Sequence, residues 1–370
     1  MLEKVKQNPM VFTGMSAAAS WAWGTSLIMG QQIAQEKGII AWLIWAVCNT
    51  LTVALFGYLY HHKAILPEIC NRKETKVIAL VIQLFCLLVQ LNFINQQFFK
   101  ITGNEQASYI ITVGIGILFT LIVFKKGLLT SIFTDVMQWG IAIGVIIAII
   151  IAGIITDAPI QNFAETTSNG VLWGVWSGLV LFSGLIGDVQ HWQRAEFDTS
   201  KKGYYFGAVM FGLYMCLVLG MAVFEFNTIM NTLLLIAVLC IATSTIDSIA
   251  VALHELGNKY IGTGIALLIC VGWGAFVKMG MVDLWSSFGV IRFAFAVAIL
   301  LFPFCLKGKV KIVAPISFIT LAIMIVFSML GHITINSAAG IISFTVASII
   351  ICYINLQAFR YSEKELKGRK

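Results

Sequence analysis

The sequence predicts an all-α polytopic membrane protein with about 12 transmembrane helices, and three observations carry that reading. Of its 370 residues, 59% belong to the set AVILMFWYC and only 11% are charged, against roughly half and roughly a quarter in ordinary globular chains. So few charges cannot clothe a soluble surface, and a mean hydropathy of +0.92 agrees. Apolar runs of about 20 residues, long enough to cross a bilayer at 1.5 Å per residue, recur along the whole chain. A soluble enzyme, a disulfide scaffold and a disordered chain are excluded.

The runs lie near 11–35, 38–60, 77–98, 107–124, 128–156, 170–188, 204–225, 229–254, 260–278, 283–306, 312–331 and 336–359. The first follows a basic start, Met1–Lys6, as a signal peptide would. It carries Trp21, Trp23, Gln31 and Gln32 and is too long for a cleavable apolar region, so it reads as a mature helix. The second carries Trp42 and Trp45, which fit interfacial anchoring. The fifth includes Asp135, read as a carboxylate favoured near a helix N-terminus. His61, His62 and His254 read as solvated helix ends.

Lys and Arg set the expected orientation. Twenty of them fall in segments on the side of the N-terminus and three on the other, which places both termini in the cytoplasm. The net charge of +7 is therefore topological, scattered over loops, and does not point to nucleic acid. The basic tail from Arg360 to Lys370 fits an anchor for anionic lipid. All eight cysteines except Cys70 lie inside apolar runs, where cysteine is a small hydrophobe, so no structural metal is expected. The chain reads as one integral membrane domain over 1–370, in a cytoplasmic membrane of prokaryotic type.

Polar groups inside spans are costly and informative. In the eighth run, Thr243-Ser244-Thr245-Ile246-Asp247-Ser248 gathers four hydroxyls and a carboxylate. Neutral oxygens from Ser244 and Thr245, with main-chain carbonyls, form a hard-oxygen set that suits an alkali cation. A single hydroxyl of this kind more often bonds its own i−4 carbonyl. In the first run, Gly14-Met15-Ser16-Ala17-Ala18-Ala19-Ser20 is small throughout. Such a stretch allows close helix packing or, where the helix unwinds, exposes carbonyls to an ion or solute. No nucleophile, base and orienter stand at plausible spacing, so catalysis is not expected.

Here the sequence resembles the sodium:solute symporter family. Ser244-Thr245-Ile246-Asp247-Ser248 is similar to its S-T-A-D-S core, and Thr134-Asp135-Val136-Met137-Gln138 to its T-D-hydrophobic-hydrophobic-Q. Gly187-Asp188-Val189-Gln190-His191-Trp192-Gln193-Arg194-Ala195 resembles the D-Q-x-Y-W-Q-R-A of the urea/polyamine branch. Ser16-Ala17-Ala18 and Trp21-x-Trp23 also resemble that branch. The likeness covers about 11–260 and starts at the broken helix, lacking the family's usual extra helix before it. It implies a five-plus-five inverted-repeat transporter core of the first ten helices (11–306), with two peripheral C-terminal helices and a cytoplasmic tail over 307–370.

The resemblance also implies a sodium (Na+) site made by the hydroxyls of Ser244 and Thr245 and the carbonyls of Ile241, Ser16 and Ala19. Substrate-facing positions follow more loosely: Ser20, Trp23, Asn92, Asn95, Gln96, Trp176 and Ser183. Arg292 stands in the tenth run where the family is small and apolar. A guanidinium cannot shed its proton, so Arg292 is expected to face the protein interior, with Asp247 the deepest available carboxylate. The expected function is sodium-coupled symport of a small polar solute by alternating access. The branch favours a urea-like amide, whereas Arg292 could equally meet a carboxylate. Two alternatives stand beside it: a proton-coupled or facilitative carrier in which Asp247 titrates, and a membrane sensor or assembly module without transport.

Overall fold

The computed structural model describes residues 7–62, 72–125, 127–273, 281–306, 310–331 and 344–351, with Val5, Pro67, Cys70 and Tyr353. They form helices α1 (Pro9–Lys37), α2 (Ile39–His62), α3 (Lys73–Thr102), α4 (Glu105–Ile122), α5 (Leu128–Ile155) and α6 (Ser168–Gly184). After these come α7 (Val189–Phe197), α8 (Gly203–Ala222), α9 (Thr228–Leu253), α10 (Lys259–Gly272), α11 (Met281–Leu306) and α12 (Val310–Met329). The first eleven apolar runs each fall on one of these helices, and the short α7 is an addition. The twelfth run, the basic tail and the side chain of Asp283 lie wholly or largely outside the described residues.

Seven of the described helices are long and apolar enough to cross a membrane: α2 to α6, α8 and α9. The chain is a multi-pass membrane protein. The 29-residue α1 is not among the seven, because Ser, Gly and Gln dilute its apolar content. Within the described residues, α10 and the apolar parts of α11 and α12 are also shorter.

Helix starts follow local chemistry. Asn104, Thr167, Asn227 and Asn258 cap α4, α6, α9 and α10 with side-chain oxygens that accept early backbone N–H groups, satisfying donors the helix itself cannot. Pro9 opens α1, where its missing N–H costs nothing.

The centre is α1, which packs most extensively on α8 and also on α9, α5 and α2. That approach needs glycine. A Cβ on Gly14 would lie 2.5 Å from the Gly203 carbonyl oxygen, and one on Gly207 would lie 2.8 Å from the Gly14 carbonyl oxygen. The helices meet backbone to backbone, the small-residue packing expected where no water drives association.

Two interruptions matter. The helical path of α1 breaks at Trp23, whose φ of 45° and ψ of 146° lie outside the helical region. The sixth span ends in a 3₁₀ turn, Leu185–Gly187, then the extended Asp188, before the chain resumes as α7.

Candidate functional site

The two interruptions come together, and Arg292 of α11 joins them. Arg292 Nη2 donates to Asp188 Oδ2 at 2.9 Å. Its guanidinium lies 4.8 Å from the ring of Trp23, 5.2 Å from Phe288 and 5.4 Å from Trp21. Gly184 makes room, since a Cβ there would overlap the Trp21 ring and come within 2.6 Å of Arg292 Nη2. Arg292 is 3% exposed. It faces the interior as expected, but its carboxylate is Asp188, at a helix break, and not Asp247.

Helix α3 satisfies the backbone and carboxylate at both breaks. Gln90 Oε1 accepts the Gly24 N–H at 3.2 Å, and Gln83 Nε2 donates to Asp188 Oδ1 at 2.8 Å. An interrupted helix inside a membrane survives only where such groups replace the lost partners. Ser26 Oγ donates to the Trp23 carbonyl at 3.1 Å and completes the turn.

Beside the Trp23 break lies a cavity of about 20 Å³ lined by Trp21, Ala22, Trp23, Thr25, Ser26, Met29, Trp45, Asn49, Leu181, Trp285 and Arg292. Trp23 Nε1, Trp45 Nε1, Arg292 Nε and Asn49 Oδ1 are buried without a hydrogen-bond partner among the described residues. Toward the C-terminal end of α1 a second, larger cavity of about 840 Å³ is lined by Ile28, Gln31, Gln32, Gln35, Gln97 and Lys100, among others.

Further toward the N-terminal end of α1 is a hydroxyl cluster around Asp135 of α5 and Arg194 of α7, both fully buried. Arg194 Nη2 donates to Asp135 Oδ2 at 2.6 Å, to Ser248 Oγ at 2.5 Å and to Ser131 Oγ at 3.1 Å. Its Nε donates to Ser16 Oγ at 2.7 Å and its Nη1 to the Gln190 carbonyl at 2.8 Å. Asp135 also accepts from Ser16 and, at 2.6 Å, from Ser244. Asp247 is held apart from Arg194, accepting from Thr134 at 2.6 Å and Ser131 at 2.9 Å.

The cluster gathers several expected residues. Ser16 and Ser244 share Asp135, whereas Thr245 Oγ1 turns back to the Ile241 carbonyl of its own helix at 3.2 Å, the i−4 bond of an ordinary helical hydroxyl. Ala19 is buried nearby in α1. Ser20, expected at the substrate, donates to the Ser16 carbonyl at 2.7 Å and reaches Asp135 and Ser248 at 3.4 Å, so it belongs to this cluster. Trp23 and Arg292 line the small cavity. Trp176 packs on Phe293 and Phe327, Ser183 donates to the Val180 carbonyl, and Asn92 is buried in α3. None of those three lines the small cavity.

Four sequence readings change. Asp135 is two turns inside α5, not at its start. Arg194, one of the twenty basic residues assigned above to segments on the side of the N-terminus, is the centre of a buried network. Trp45, read as an interfacial anchor, is 2% exposed and lines the cavity. His61 and His254 are not simply solvated: His61 Nε2 lies 3.5 Å from Asp198 Oδ2, and His254 pairs with Thr263 at 3.1 Å. Sequence reasoning also passed over Asn49, although a lone asparagine in a span is a usable signal.

Two interrupted helices facing each other within a membrane bundle, with buried polar clusters at and beside the breaks, are the architecture of a secondary-transporter fold. The solved structure of a Na+-coupled sialic acid symporter, in a substrate-bound outward-open state, is similar to this chain. The two match with a TM-score of 0.58 at 12% identity, covering 94% of this chain and 89% of that one. The two chains share one fold. No protein-family model and no curated protein matches the sequence.

Proposed function

We propose that the chain is a secondary active transporter that couples sodium to the symport of a small polar solute by alternating access. One observation carries this: the breaks at Trp23 and Leu185–Asp188 meet at Arg292 beside a cavity with unpartnered polar groups. Such breaks cost backbone hydrogen bonds, and a structural helix has no reason to keep two of them face to face. The Na+ coupling of the structurally similar sialic acid symporter supports the ion assignment.

On this reading the first ten spans form a five-plus-five inverted repeat, with α1 and the α6–α7 pair as its equivalent broken helices. The solute occupies the region of the cavity that Trp23 and Arg292 line. Sodium is a co-transported ion held by the Ser244 and Thr245 hydroxyls and the carbonyls of Ser16, Ala19 and Ile241. The donor set fits a hard cation, and Asp135 adds a charge within hydrogen-bonding reach of Ser16 and Ser244. Binding stabilises whichever state offers the complete set, since an ion shifts an equilibrium only by its differential affinity.

A second reading has one observation in its favour. Arg194 already supplies a cation to the same hydroxyls, so Asp135 is charge-paired without sodium. A proton-coupled or facilitative carrier would keep Arg194 there throughout. Uptake into proteoliposomes separates the two. Solute accumulation driven by a sodium gradient, and lost in choline, supports symport; accumulation indifferent to sodium favours the carrier.

A further inference from the structure

We infer that the solute taken at the Trp23 break is a small carboxylate bearing one hydrogen-bond donor, a hydroxy acid in the simplest case. This rests on the transport reading above and names its substrate class.

The argument begins with the four unpartnered atoms. Buried polar groups in native proteins are nearly always hydrogen-bonded, and these four, among the buried atoms without a partner, belong to residues that line one cavity, where an occupant can meet them together. Three of them, Trp23 Nε1, Trp45 Nε1 and Arg292 Nε, can only donate, whereas Asn49 Oδ1 accepts. The occupant must therefore be rich in acceptors and carry one donor. A carboxylate offers about four lone-pair sites and no N–H to clash with the donors. An amide of the same shape replaces one acceptor oxygen with NH₂ and sets donor against donor. A hydroxyl beside the carboxylate satisfies Asn49.

Charge and size agree. The Arg292–Asp188 pair is formally neutral, so a monoanion adds one negative charge and a co-transported sodium restores balance. The guanidinium is held against the rings of Trp21, Trp23 and Phe288, its residue lines the cavity, and its Nε has no partner among the described residues, which leaves a donor for a carboxylate. A cavity of about 20 Å³ admits a group of roughly water size. That volume takes no more than one water-sized group, so the solute must be short and the cavity must widen to take it.

The test compares isosteres on the purified full chain in detergent, in sodium and in choline. Glycolate, acetate, acetamide and urea are titrated and the melting temperature is followed. Glycolate is expected to stabilise at the lowest concentration, acetate at higher concentration, and acetamide and urea not at all. Trp45→Phe keeps an aromatic ring, though a smaller one, and loses the donor, and should weaken glycolate by about 5- to 10-fold, a fraction of the cost of an unmade polar contact. Arg292→Gln should weaken it further.

Stabilisation by urea or acetamide without glycolate overturns the class, and so does a lack of response to all four. Glycolate binding unchanged in both variants puts the carboxylate elsewhere and overturns the site. Sodium alone separates the two proposals. If sodium raises the melting temperature while no carboxylate does, the substrate class fails and sodium coupling stands. If neither acts, both fail.

Discussion

Arg292 on α11 and Asp188 at the end of the sixth span form an ion pair of 2.9 Å buried to within a few per cent of zero exposure. Each is the other's charge partner in a region with no bulk water. Removing one side of such a pair typically costs about 3–5 kcal/mol, because the survivor is left charged and unpaired. Arg292→Gln and Asp188→Asn should each lower the melting temperature in detergent and abolish transport. The double variant Arg292→Gln/Asp188→Asn should recover stability but not transport. Additive losses in the double variant would show that the two residues are not coupled.

The hydroxyl cluster gives a second expectation. Ser244→Ala deletes a candidate ion ligand and one hydrogen bond to Asp135. Sodium affinity should fall by about five- to a hundredfold, equivalent to roughly 1–3 kcal/mol, and a sodium titration of melting temperature reads it directly. Thr245→Ala should do the same. Unaltered sodium dependence in both would remove the ion from this place.

The α1–α8 contact offers a test of packing. A methyl on Gly14 would overlap the Gly203 carbonyl and the Phe206 ring, so Gly14→Ala must push the helices apart. Overpacking of this kind costs about 1–3 kcal/mol. Gly14→Ala should melt lower than wild type, whereas Gly264→Ala, where a Cβ meets nothing within 4 Å, should not.

Acid should loosen the α7–α8 connection. Burial pulls the Asp198 carboxyl up, but His61, the Ser200 hydroxyl and the Gly203 N–H outweigh it, leaving its pKa below the ordinary 3.8. A carboxyl depressed on folding contributes stability that is present above its unfolded value and is lost as pH falls through the folded one. Melting temperature should therefore drop on acidification below about 3.8, and Asp198→Asn should flatten that limb. An equally steep limb in Asp198→Asn would assign the acid sensitivity to other groups.

Much of this was legible in the sequence, and the reasons for the rest are physical. Apolar runs located the helices because a bilayer demands continuous burial. The small stretch from Gly14 to Ser20 marked the close-packed half of α1, and Arg292 had to face inward because it cannot neutralise itself. The partner of Arg292 was not legible, since Asp188 looked like a boundary residue and only the 3₁₀ turn carries it inward. Arg194 and Asp135 were misread for the same reason: sequence shows a charge near a span's end, not the short helix α7 that packs against α1, α3 and α9. Trp45 and Asn49 sit one turn apart on α2, a spacing that says which face they share but not what that face meets.

Gln83 and Gln90 are seven residues apart, two turns of one helix, and each holds one of the two breaks. About 10 Å of rigid rod separates them, so α3 works as a crossbar pinned to both hinges. Sliding or tilting it cannot release one hinge without loading the other. A displacement of α3 along its axis would therefore strain both hydrogen bonds at once.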